Sequence, residues 1–103
     1  KGPKGGEEVR DYEMMVIINP DLGDEEVSQV LEKFKEIIAQ GGGELEKIEE
    51  WGKRKLAYEI KHKKEGYYAI FYFKGQPDLP DRLRREIRLN PDVYRGMIIR
   101  RGD

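Results

Sequence analysis

The feature that most constrains the fold is an amphipathic stripe with an abrupt end. Val27, Leu31, Phe34 and Ile38, supplemented by Val30 and Ile37, recur at helical spacing, so one face of a helix has to be buried. Asp24 reads as its cap, and Glu25 and Glu26 suit the positive end of the helix dipole. Gly41-Gly42-Gly43 ends it, because glycine tolerates the left-handed conformation that helix termini favour. A single apolar stripe needs a second layer to cover it.

The flanking segments supply that layer. Tyr12 to Ile18 is an apolar run of strand length, stopped by Asn19-Pro20. Leu45 to Ile60 reads as a long strand, with Ile48, Leu56, Tyr58 and Ile60 in one parity. Leu45 falls out of phase, and Gly52 marks a bulge or bend. Lys61 to Gly66 reads as a basic turn. Tyr67 to Phe73 is apolar on both faces, as a central strand is. Asp78 and Pro80 open a second helix with Leu79, Leu83 and Ile87 inward, Arg82, Arg84, Arg85 and Arg88 outward, and Asn90-Pro91 at its end. Val93 to Arg101 forms the last strand.

The order β-α-β-β-α-β, with right-handed crossovers, predicts an α+β sandwich of the ferredoxin-like kind. Its four-stranded antiparallel sheet has strand order 4-1-3-2 and both helices on one face. The other sheet face is left uncovered. Residues 1–9, Gly-rich and polar, read as a flexible arm, and residues 10–103 as one domain.

Much chemistry is missing. There is no cysteine or threonine, and one serine, Ser28, lies inside the first helix. The one histidine, His62, sits among lysines in the turn, where it faces solvent. An activated nucleophile is therefore not supplied, and the chain reads as no enzyme. Glu44, Glu46, Glu49 and Glu50 are dense, but strand alternation splits them between faces and no calcium-loop spacing is present, so no metal or other cofactor is expected. No apolar run approaches the length of a membrane-spanning helix, and the first residues lack the apolar stretch of a signal peptide. Without an initiator methionine, the chain reads as a fragment or processed form.

What the chain offers is charge, unevenly spread. Residues 1–50 carry 6 Lys/Arg against 14 Asp/Glu, and residues 51–103 carry 14 against 7. The overall charge of −1 conceals an electropositive half suited to a charged partner. Its densest part is Trp51-Gly52-Lys53-Arg54-Lys55-Leu56-Ala57-Tyr58 on an expected edge strand. Alternation puts Lys53 and Lys55 on one face and Arg54 on the other, unless Gly52 bends the chain. Such cations follow a phosphate backbone, and Trp51 or Tyr58 offers a ring for base stacking. Lysines on an edge also discourage aggregation, which is the competing explanation. The last strand, the other edge, carries Arg95, Arg100 and Arg101 beside Tyr94, and Arg10 leads into the strand next to it. Met15, Ile17, Met97 and Ile99 fall in the parity that faces away from the helices, and an uncovered apolar sheet face points to a protein partner.

Several of these residues form a recognisable set. Tyr12-Glu13, Asn19-Pro20, Ile48-Glu49-Glu50-x-Gly52-x-Arg54-x-Leu56-Ala57-Tyr58-x-Ile60, Gly66-Tyr67, and Arg85-Glu86-Ile87-Arg88 through Arg95-x-Met97 resemble the bacterial-type small-subunit ribosomal protein S-six family over residues 10 to 101. The resemblance implies a ferredoxin-like ribosomal protein, in a cytoplasmic or organellar ribosome. It also implies binding to the central domain of small-subunit ribosomal RNA as a heterodimer with ribosomal protein S-eighteen. By position, Arg10, Tyr12, Lys53, Arg54, Lys55 and Arg95 fall where the family offers RNA or partner contacts. Lys53 and Gly96 depart from the apolar residues of other members, which implies looser packing of the last strand.

Two other classes share the element order. An RNA recognition motif needs a cation, a small residue and a stacking Phe where Glu65, Tyr68 and Ala69 stand, so the match is poor. An acylphosphatase needs an anion-binding loop after the first strand, where Asn19-Pro20-Asp21-Leu22-Gly23-Asp24 is acidic. A protein-interaction domain whose basic edge meets an acidic protein remains the reading from another class.

Overall fold

The computed structural model describes residues 9–102, so the arm expected over residues 1–9 lies almost wholly outside the described residues. The order is β1 (Arg10–Ile18), α1 (Asp24–Gln40), β2 (Glu44–Ile60), β3 (Lys63–Gly75), α2 (Leu79–Leu89) and β4 (Val93–Arg100). All strand pairs are antiparallel, in order β2-β3-β1-β4, the expected topology.

One side of the sheet buries the helices. Tyr12, Met14, Val16 and Ile18 of β1 and Ala69, Phe71 and Phe73 of β3 meet Val27, Val30, Leu31, Phe34 and Ile38 of α1 and Leu79 and Leu83 of α2. Phe34 and Phe71 pack edge to face, with ring centroids 5.6 Å apart. The cap of α1 is Gly23 rather than Asp24. Glu26 reaches back to accept the Gly23 N–H at 2.9 Å, which leaves Asp24 as the first helical residue.

Two Asn-Pro-Asp tripeptides fix one end of the sandwich. Asn19 Oδ1 accepts the Asp21 N–H, and Asn90 Oδ1 accepts the Asp92 N–H, each at 2.9 Å. The two turns are tied together by the Asn19 N–H donating to the Asp92 carbonyl at 2.8 Å. Close backbone approach does the rest. A Cβ on Gly96 would sit 2.4 Å from Ile87 Cδ1, so α2 lies tightly against β4 and the looser packing expected there does not occur.

The β2–β3 hairpin departs most from the sequence reading. Its turn is only Lys61-His62, both at positive φ as a two-residue hairpin turn demands, and Lys63, Lys64 and Glu65 belong to β3. Three register shifts interrupt the ladder of β2 with β3, the last between Lys55 and Ile60, and the first two are bulges that reset the phase of β2. The extra residue Glu46 lets both Leu45 and Ile48 pack against the helix-side core, which accounts for the apparent break at Leu45. The extra residue Trp51, with Gly52 at φ 77°, turns the following segment over. Leu56 therefore points to the opposite face from Ile48, not the same one. There it closes with Ile17 over Gly66, whose added Cβ would be 2.3 Å from Ile17 Cγ2.

Candidate nucleic-acid interface

Strand alternation fixes what the uncovered face presents. Met15 pairs with Ile70 on one side and Met97 on the other, and Glu13 with Tyr72 and Ile99. Met97 is 55% exposed and Ile99 50%. With Trp51 and Ile70 they line a shallow hollow. Ile17, expected outward with them, is buried under the hairpin.

Around this hollow the cations are held by rings. Trp51 stacks on Tyr68 (centroids 6.3 Å, 19° between planes), and the Arg54 guanidinium lies 5.2 Å from the centre of the Trp51 ring. Arg54 Nε also donates to the Trp51 carbonyl at 3.3 Å. Glu49 accepts from the Trp51 indole and the Tyr72 hydroxyl. Lys47, then Trp51, hold its carboxyl below the usual carboxylate range. Tyr72 in turn sits beneath Lys47 at 5.0 Å and Arg101 at 5.3 Å. Trp51 is still 42% exposed, so part of it stays open to a base.

The two sheet edges are not separate here. β2 and β4 lie at opposite ends of the strand order, yet Arg95 of β4 lies 5.4 Å from the centre of the Tyr58 ring of β2, and Lys61 5.7 Å from that of Tyr94. The overhanging hairpin curls across the uncovered face and joins Trp51, Arg54, Tyr58, Tyr94 and Arg95 into one strip. Arg101, paired with Glu13 at 3.5 Å, extends it past the hollow.

The remaining sequence candidates lie elsewhere. Tyr12 is buried, stacked on Phe73 at 5.4 Å, so its ring belongs to the core and not to an exposed contact surface. Arg10 and Arg100 share the parity of Tyr12, on the helix side at the far end of the sheet. Lys53 and Lys55 also point to the helix side, where with Lys63, Lys64, Pro20, Asp21 and Glu65 they line a second basin. Sequence reasoning missed Lys47, Tyr68 and Tyr72, whose alternation with Ala69, Phe71 and Phe73 was the available signal.

The family described as Ribosomal protein S6 matches residues 11–100. This chain belongs to the ribosomal protein S6 family. The small ribosomal subunit protein bS6 of Desulforamulus reducens is 44% identical over 92% of this chain and 100% of its own length. That of Caldanaerobacter subterraneus is 45% identical over the same shares. The crystal structure of 30S ribosomal protein S6 from Thermotoga maritima superposes with a TM-score of 0.86 at 37% identity, covering 90% of this chain and 88% of that one. Membership in the S6 family makes the chain a structural protein of the small ribosomal subunit and not an enzyme. The C-terminal domain of the MgtC protein from Mycobacterium tuberculosis shares the fold at 16% identity (TM-score 0.62, over 92% of this chain and 90% of that one), so the fold by itself says nothing of ribosomes.

Proposed function

We propose that this S6-family chain binds the central domain of small-subunit ribosomal RNA together with ribosomal protein S-eighteen, during assembly of the platform of the small subunit. One observation carries the reading: the hairpin gathers cations from both sheet edges onto the face that also holds the apolar hollow. Guanidinium groups backed by rings present their forks outward to phosphate oxygens. The hollow of Met15, Ile70, Met97 and Ile99 takes apolar side chains of the protein partner. One face thus serves two ligands, and each completes the surface for the other. The acidic outer face of α1, with Glu25, Glu32 and Glu36, stays in solvent.

The test is binding of the purified chain to a central-domain RNA fragment, with and without S-eighteen, across a salt series. We expect tight binding only with the partner, and log affinity that falls with log salt by about 0.7 to 0.9 per phosphate neutralised. Absence of binding in both arms, with the chain folded, would overturn the reading.

A further inference from the structure

The basin on the helix side of the hairpin does not belong to the strip described above. Lys53 pairs with Tyr67 and Lys55 with Glu65, whereas Arg54 pairs with Gly66, so the two lysines and Arg54 point to opposite faces. Lys63 and Lys64 of the facing strand bring the basin's lining to four lysines against Asp21 and Glu65. Asp21 is already engaged: it accepts from Lys63, and this hydrogen bond, then its charge, hold the Lys63 ammonium protonated above its usual range. The ammonium groups of Lys53, Lys55 and Lys64 have no ion pair among the described residues. Asn19 and Asp92 anchor the turn that carries Asp21, so one wall of the basin is fixed.

Three unpaired like charges held together repel one another, and an anion relieves that repulsion. Apart from Pro20 the residues that line the basin are all charged, and its apolar surface is mostly lysine stems, which disfavours a protein docked by burial of its side chains. Lysine ammoniums, as rotatable point charges without a fixed fork, suit a phosphodiester backbone that passes by without base readout.

We infer that Lys53 and Lys55, on the opposite face of the hairpin from Arg54 and Arg95, form a second phosphate-binding site together with Lys64 at the rim of the basin. The hairpin is then gripped from both sides, and the RNA it meets presents two backbone segments, one along each face. The inference rests on the RNA-binding reading above.

The experiment compares the full chain with the K53Q/K55Q/K64Q and R54Q/R95Q variants. Each is measured with S-eighteen on the central-domain fragment across the salt series. All five positions are exposed, so the fold is retained, and thermal unfolding checks it. We expect the lysine variant to lower the magnitude of the salt slope by about 2 to 3, from 0.7 to 0.9 per phosphate, with affinity for S-eighteen alone unchanged. The arginine variant lowers it separately. An unchanged slope in the lysine variant, with the parent chain binding normally, overturns the second site and leaves the function standing. Loss of affinity for S-eighteen in the absence of RNA makes the basin a protein surface and also overturns it. If the parent chain itself fails to bind RNA, the proposed function falls and the second site with it.

Discussion

The Tyr67 hydroxyl donates to Glu50 Oε1 at 2.6 Å, at the margin where β3 meets α1. Burial, and after it the hydrogen bond and charge of Glu50, push its pKa up to about 12 from 10.0. The unfolded tyrosine ionises near the lower value, so between the two the unfolded chain releases a proton that the folded chain keeps. The stability from this group is whole below pH 10.0 and is lost as pH rises through about 12. Ultraviolet titration is expected to show Tyr67 ionising late, along with Tyr72, which desolvation and then Glu49 also raise, and E50Q should bring Tyr67 earlier without restoring the ordinary value, since burial is the larger cause. Residue-scale facts of this kind were only partly legible. The family resemblance puts Tyr12 among the RNA or partner contacts, yet Tyr12 has the parity of Met14 and Val16 and goes with them into the core. Gly96 was read as a gap, but Ile87 fills the space that its missing side chain leaves.

At the scale of elements, the hairpin is the informative part. Gly52 stands at φ 77° with nothing within 4 Å of where a Cβ would be, so its requirement is conformational and not steric. Gly52→Ala is expected to cost about 1–2 kcal/mol, the penalty of a left-handed L-residue, and Gly52→Asn less. Urea unfolding with an unchanged m-value would measure both, and an undiminished midpoint in the alanine variant would contradict the account. The strands and helices themselves were legible, because the hydrophobic period agrees with the Asn-Pro stops after β1 and α2 and with the glycines after α1. Gly52, inside a run of strand character, also marks a bulge or bend. The effect of the bulge on the residues beyond it was not legible, because one inserted residue flips the face of each that follows, and the parity of Ile48 gave no warning of that for Leu56.

The whole molecule extends 46 × 28 × 22 Å, and the cations of its second half lie on more than one face. Substitutions on different faces share no partner, so the binding free energies lost by R54Q and K55Q should add to within about 0.5 kcal/mol. Tyr58→Phe with Arg95→Gln, which meet through a ring and a guanidinium, also provides a coupled pair for comparison. A double-mutant cycle on RNA affinity reads both, and strong coupling between R54Q and K55Q would mean one continuous surface. The charge split between halves announced an electropositive region, and composition could go no further, because it does not show which edges a curled hairpin brings together. One consequence follows from the stack of Tyr68, Trp51 and Arg54. The chain contains a single tryptophan, and it stands at the rim of the hollow beside the Arg54 guanidinium. Its fluorescence therefore samples the proposed binding face and no other indole, which gives the unlabelled protein an optical reporter for the arrival of RNA or partner.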